Sequence, residues 1–182
     1  VKYLNTNNSI DLHVYYSSKS TLKEYYDKEL KKNITWDTEL LNGYKYFFLK
    51  SLFDFGVPNL FLPFNYGLIY SLYKNKIKHL MVHGHARPYN ILVIIFAKIF
   101  GIKVYLRSES TDHAAKRKIL SAIVIFLIDK CIEHYFSIGD LNRDYYLNRG
   151  VDKSKISHLG YNINNDFFYN FRLQKKSKDL FY

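Results

Sequence analysis

With a single cysteine, Cys131, this 182-residue chain has no internal disulfide to staple it, so its cohesion must come from a buried core. Cys131 stands near the end of an apolar run, where a small buried hydrophobe is expected, and a reducing compartment fits. Long apolar stretches are also missing. The longest, Ile91 to Phe100 and Ala122 to Ile128, fall short of the ~20 residues that a membrane span needs, so an integral membrane protein is not expected. The opening residues Val1-Lys2-Tyr3-Leu4-Asn5 lack the apolar segment of a secretory signal and do not include an initiator Met, so a truncated beginning is expected. Proline (3), methionine (1) and tryptophan (1) are scarce, and neither a repeat nor a low-complexity segment is visible.

What is abundant is aromatic. Tyrosine (18) and phenylalanine (14) help raise hydrophobic content to 48%, which excludes a disordered chain and suits one domain of ordinary size. The many Lys, Asn and Ile residues look like a genome-wide bias, which weakens any argument from lysine number. The net charge of +11 fits an anionic membrane, a phosphorylated ligand or nucleic acid. Its cations are spread in small groups such as Lys74-Asn75-Lys76-Ile77-Lys78 and Lys116-Arg117-Lys118, without the concentrated stripe and motif of a nucleic-acid reader, so nucleic acid ranks last.

Periodicity orders the chain. Ile10 to Tyr16 and Tyr44 to Leu49 read as strands, the second entered through the Asn42-Gly43 turn. Thr21 to Leu30 reads as a short surface helix or an irregular loop, and Ser51 to Pro63 as a loop. Asn65 caps a helix over Tyr66 to Lys74, and a strand follows at Leu80 to His83. Pro88 and Asn90 open a helix that Gly101 closes, and Lys103 to Leu106 is the next strand. Thr111-Asp112-His113 offers the cap of a helix running to about Lys130, then come a strand at His134 to Ile138, a helix at Leu141 to Asn148 stopped by Gly150, and a strand at Lys155 to Leu159. Alternation of this kind predicts an α/β fold, a Rossmann-like parallel sheet with helices on both faces.

Ligands of such sheets collect outside the carboxyl ends of the strands. Those ends carry His83-Gly84-His85, Arg107-Ser108-Glu109-Ser110 and Ser137-Ile138-Gly139-Asp140-Leu141-Asn142. The two histidines suit hydrogen bonding to a polar ligand, with Gly84 allowing close backbone approach; the plain alternative is one buried and one solvated histidine at a turn. No third ligand at suitable spacing follows them, so no metal is expected. Arg107 can clamp a phosphate or carboxylate, and Glu109 can bind hydroxyls or pair with Arg107 or Arg87. Ser137, Gly139 and Asn142 mark a strand-turn-helix junction that can turn backbone N–H groups toward an anion, but the chain has neither a dinucleotide fingerprint nor a P-loop. No paired carboxylates, nucleophile elbow or other catalytic set is evident, and the catalytic residues stay unassigned.

Taken together, the run Gly84 … Asn90 … Gly101-Ile102-Lys103-Val104-Tyr105-Leu106-Arg107-Ser108-Glu109-Ser110 resembles the N-terminal domain of family 4 (group 1) glycosyltransferases. So do Phe136-Ser137-Ile138-Gly139 … Asn142 … Tyr145-Tyr146 … Gly150-Val151 … Lys155-Ile156 and Gly160-Tyr161-Asn162-Ile163-Asn164-Asn165-Asp166-Phe167-Phe168, with Trp36 … Leu40-Leu41 … Gly43-Tyr44 upstream. The likeness spans about residues 10–168. It implies the acceptor-binding half of a GT-B enzyme, a retaining hexosyltransferase-type activity of glycan or cell-envelope polysaccharide biosynthesis. The co-substrate would be a nucleotide-sugar donor held by a second domain, with no cofactor and no metal. The acceptor would be a glycan or lipid-linked molecule, and the location cytoplasmic, peripheral on the anionic membrane face. His83, His85, Arg107 and Glu109 would line the cleft, with Gly84, Ser108, Ser137, Gly139 and Asn142 beside them. Residues 1–162 would form this domain, its first strand truncated, and residues 163–182 a linker toward the donor domain. Where many relatives place a histidine after the strand equivalent to Val104–Leu106, this chain has Ser108-Glu109-Ser110, so position carries over and mechanism does not. The chain alone is expected to show no turnover. Other readings are a non-catalytic basic module for anionic membrane or nucleic acid, and a small nucleotide-binding protein of flavodoxin type.

Overall fold

A computed structural model describes residues 10–17, 19, 25–27, 31–34, 41, 43–49, 65, 67–85, 87–112, 119–161, 165 and 169. The expected loop over Ser51 to Pro63, the Lys116-Arg117-Lys118 cluster and nearly all of the segment after Tyr161 lie outside these residues.

The centre is a four-stranded parallel sheet in the order β5–β6–β7–β8, formed by His79–His83, Lys103–Arg107, Ile132–Ser137 and Ile156–His158. The helices α1 (Gly67–Lys74), α2 (Pro88–Ile99), α3 (Ile119–Asp129) and α4 (Asp140–Asn148) alternate with these strands. The protein is an α/β fold, a Rossmann-like parallel sheet flanked by helices. Spatial order follows chain order, and right-handed crossovers that always advance the same way lay successive helices on one face. The core agrees. Leu68 and Leu72 of α1, Val93, Ile94 and Ala97 of α2, Ile128 of α3 and Tyr145 and Tyr146 of α4 join Val82, Val104, Leu106 and Tyr135 in one cluster.

Three helices end alike. After α2, Gly101 at φ 71° lets its own N–H reach Lys98 O at 3.1 Å and Ile102 N–H reach Ala97 O at 2.9 Å. After α4, Gly150 at φ 80° repeats the pattern onto Leu147 and Tyr146. This paired closure satisfies carbonyls that the helix leaves open, and it puts an apolar residue, Ile102 or Val151, against the core as the chain leaves the helix. Lys76 closes α1 in the same way at φ 50°, without a glycine, with Ile77 N–H on Leu72 O at 3.1 Å.

Strand alternation separates the sheet's faces. Val82, Val104, Leu106 and Tyr135 point to the helices and are buried, whereas Met81, Tyr105 and Phe136 point the other way. An irregularity beside Val104 and Tyr105, where Ile132 and then His134 are their partners, leaves Glu133 unmatched and resets the alternation in β7. Below the sheet, Asp129 at the end of α3 accepts hydrogen bonds from Arg149 and from Tyr135 Oη at 2.6 Å, and the Arg149 guanidinium lies 5.1 Å from the Tyr145 ring centre. This buried ion pair ties α3, β7 and the end of α4 together. Burial first, and the bond to Asp129 second, push the Tyr135 hydroxyl up from its ordinary range. Cys131 is half-buried between α3 and β7 and packs on the core, in keeping with its apolar surroundings.

Before the sheet, β1 (His13–Tyr16) pairs in parallel with β4 (Lys45–Phe48), as a second ladder. Tyr15 stacks on Phe47 with centres 5.3 Å apart, packs on the main core, and accepts a 2.9 Å hydrogen bond from Asn75 at the end of α1. A third, antiparallel ladder joins β2 (Tyr25–Asp27) to β3 (Lys32–Ile34). This corrects the helix-or-loop expectation at Tyr25–Asp27, the described part of Thr21 to Leu30. The charged residues there hid a short Tyr25–Tyr26 strand whose pairing comes from the segment after it.

Candidate functional site at the strand carboxyl ends

The parallel ladder brings the predicted residues to one end of the sheet. His83 pairs in register with Arg107, and Arg107 with Phe136. Gly84 continues the ladder, its N–H bonding Arg107 O at 2.8 Å, and turns the chain at φ 75°. A Cβ at Gly84 would meet no atom within 4 Å, so glycine is favoured there by backbone conformation and not by close approach. Asn90 in the first turn of α2 donates to Gly84 O at 2.9 Å and to His83 O at 3.3 Å, which clamps the turn onto its helix.

The candidate residues divide into two sets. The first is buried. His85 is 5% exposed. Ser108 hydrogen-bonds the Tyr146 hydroxyl at 2.8 Å, and Ser137 Oγ donates to Ser157 O at 3.4 Å. Asn142 sits within α4, accepts from Ile138 N–H at 3.2 Å and donates to Ser110 O at 2.7 Å. It therefore straps the loop after β6 to the junction after β7. Satisfied buried groups of this kind hold loops in place. Burial pushes the Tyr146 hydroxyl up, against its bonds with Ser108 and Asn142, which favour the charged form.

The second set is open. His83 and Glu109 are exposed, and Arg107 is half-buried beside them. Arg107 Nε donates to Leu159 O at 3.4 Å, and its guanidinium lies 4.4 Å from the ring centre of Tyr161. Tyr161, 62% exposed, thus sits at the same corner from beyond β8. Among the described residues no ion pair joins Arg107 to Glu109, so the pairing considered from the sequence is not what orders Arg107; Leu159 and Tyr161 do that. His83 feels both charged neighbours. Desolvation first, and the Arg107 guanidinium second, hold its imidazole below the ordinary histidine value, while Glu109 opposes them. At neutral pH His83 is therefore an uncharged donor and acceptor.

Gly139 precedes α4 in extended backbone that any residue can adopt, and Arg143 N–H bonds its carbonyl at 3.0 Å. Asp140 beside it pairs with Arg143 at 2.9 Å. That carboxylate makes the junction a poorer anion seat than its sequence suggested. Among the described residues no group of three or more His, Cys, Asp or Glu side chains is placed to hold a metal ion. Sequence reasoning missed Leu159 and Tyr161 as partners of Arg107, and Asn90 and Tyr146 as supports. Only the aromatic character of Tyr161 beside a glycine offered a signal.

The corner combines a guanidinium stacked on an aromatic ring, a carboxylate and a neutral imidazole. Such a set can bind neutral polyols or anionic oxygen groups and orient them against an aromatic plane. No family model, no curated protein and no solved structure matches the chain.

Proposed function

We propose that this chain is the acceptor-binding half of a retaining, nucleotide-sugar-dependent glycosyltransferase of the GT-B type, serving glycan or cell-envelope polysaccharide synthesis. The observation that carries the reading is the open corner of His83, Arg107, Glu109 and Tyr161 at adjacent strand ends of a parallel sheet. A sugar ring offers hydroxyls that a carboxylate and a guanidinium bind in pairs, and apolar C–H faces that suit a tyrosine ring. In this reading Glu109 and Arg107 take acceptor hydroxyls, His83 accepts or donates one hydrogen bond while neutral, and Tyr161 forms the floor. The buried Ser108, Ser137, Asn142 and His85 set the positions of these groups from beneath. Transfer needs the leaving diphosphate to be held by donor-side groups that this corner does not supply, so the corner binds sugar without turning it over.

Ligand-observed NMR with a panel of mono- and oligosaccharides tests the reading. Saturation transfer to at least one saccharide is expected, weakened tenfold or more by Glu109→Ala and by Arg107→Ala. A panel without any signal, signals indifferent to both substitutions, or sugar transfer by the 182-residue chain alone would each reject it.

A further inference from the structure

The outer side of the helix layer carries large apolar residues that the core does not use. On α2, Leu92, Ile95, Phe96 and Ile99 recur one turn apart and face outward, opposite the stripe of Val93, Ile94 and Ala97 that enters the core. On α3, which packs beside α2, Ile123, Phe126 and Leu127 are 53%, 57% and 60% exposed, and only Ile128 is fully buried among the described side chains of that helix. At about 200 Å² for a whole large side chain, these outward residues of the two helices expose on the order of 700 Å² between them. The largest apolar patch of an ordinary monomer is about 300–600 Å², whereas each half of a standard two-chain interface covers about 800 Å². The area is that of an interface.

The make-up of the face says what covers it. Lys98 is the charged residue of α2 and Asp129 that of α3, and Asp129 is turned inward to Arg149 and Tyr135. The centre of the patch is therefore aliphatic and aromatic. Its cations, Lys98 and Lys130, stand at or just past the helix ends, with Lys130 4.9 Å from the Phe126 ring centre. An uncharged centre inside a polar rim is the anatomy of a contact between two copies of one chain. A helix lying on an anionic bilayer sets lysines or arginines along its length, and residues 88–97 and 119–128 contain neither. The geometry suits self-pairing. Helices α2 and α3 each return between parallel strands and so run the same way. A two-fold axis lying across them in the plane of the face sets each helix antiparallel to its own equivalent, ridge against groove. That arrangement sends the helix-end lysines of the two copies to opposite edges of the contact.

We propose that the outer face of α2 and α3 is the contact of a symmetric homodimer, in which each helix meets its own equivalent antiparallel and Phe96, Ile99, Phe126 and Leu127 become buried. The strand-end corner lies by the N-terminus of α2, where Asn90 holds Gly84. Antiparallel pairing therefore places the two corners at opposite ends of the dimer, and both stay open. The contact shares no residue with the corner, so the inference stands or falls apart from the sugar reading.

Analytical ultracentrifugation of the 182-residue chain tests it, over loading concentrations from about 1 to about 100 μM. A monomer–dimer equilibrium with a dissociation constant of about 10 μM or tighter is expected. Each copy carries +11, so raising salt from about 0.05 to about 0.5 M should tighten the dimer by screening that repulsion, whereas attachment to an anionic surface would loosen. Phe126→Ser with Leu127→Ser should weaken the dimer about a hundredfold, and Ile99→Ser on the other helix about tenfold, with circular dichroism unchanged because these side chains contribute little to the core. A chain that stays monomeric throughout that range, a dimer that salt loosens, or a dimer that survives both sets of substitutions would overturn the proposal. So would a monomer that co-sediments with phosphatidylglycerol vesicles through Phe126 and Leu127, which would assign the face to lipid.

Discussion

The two faces of the four-stranded sheet are built from alternate residues of the same strands, yet they do different work. Toward the helices, Val82, Val104, Leu106 and Tyr135 make a closed apolar layer. Away from them, His79, Tyr105, His134 and Phe136 form a run of rings, with His79 hydrogen-bonded to Tyr105 at 3.0 Å, Tyr105 stacked on Phe136 at 6.2 Å between centres, and His134 hydrogen-bonded to Ser157 at 2.8 Å. His83 and Arg107, which open the candidate site, belong to this second face by register. Stability resides mostly on the first face, and the side chains available for recognition on the second. The two are one residue apart.

The largest test of this division lies within β6. Leu106→Ala, at a position with no exposure, should cost about 2–5 kcal/mol in urea unfolding, as lost transfer energy and a cavity add. Its neighbour Tyr105→Ala should cost about 1 kcal/mol, mainly the cross-strand ring contacts. Equal losses would mean that the second face is as closely packed as the first. Next comes Asn142, buried beneath the corner. Asn142→Ala leaves Ile138 N–H and Ser110 O without their side-chain partner and should cost about 1–3 kcal/mol, whereas Glu109→Ala, at the exposed rim, should stay within about 0.5 kcal/mol.

Tyr161→Ala sharpens the comparison at the open end. Losing the ring beside Arg107 should cost about 0.5–1 kcal/mol, and the change should be smaller still in an Arg107→Ala background, which a double-mutant cycle would detect. The smallest effect concerns pH. Because the folded His83 value lies below 6.5, the unfolded chain takes up that proton first as pH falls. Stability from this residue is therefore full above pH 6.5 and declines as pH drops from there toward the lower folded value. His83→Gln should flatten the thermal-midpoint profile of the chain in that window, and an unchanged slope would show that the imidazole is not desolvated as described.

Much of this was written locally in the sequence. Period-two alternation marks β5 and β6, Pro88 opens α2, and Gly101 and Gly150 end helices in the left-handed turn that glycine adopts most readily, so the element order of the central sheet and the strand-end placement of the candidate residues were legible. The unread parts depend on distant or compensated contacts. Lys76 ends α1 where glycine would be expected, and its signal is absent. The irregularity that leaves Glu133 unmatched decides which side of β7 faces the helices, and no turn residue announces it. Ser108 and Asn142 look like ligand groups until Tyr146 and Ser110 are seen to occupy them. Arg107 finds Leu159 and Tyr161 across two intervening crossovers, beyond any local pattern.

The order β5–β6–β7–β8, identical in space and along the chain, also bears on how the protein is made. Each strand docks beside the one synthesised just before it, so the sheet can lengthen at one margin as the polypeptide leaves the ribosome, without waiting for a distant partner. The growing margin always exposes an unpaired strand, and the next helix and strand cover it in turn. Growth of this kind closes small loops in sequence and keeps the exposed edges of β6 and β7 short-lived. The candidate corner is then finished last, when the residues after β8 bring Leu159 and Tyr161 to the waiting Arg107.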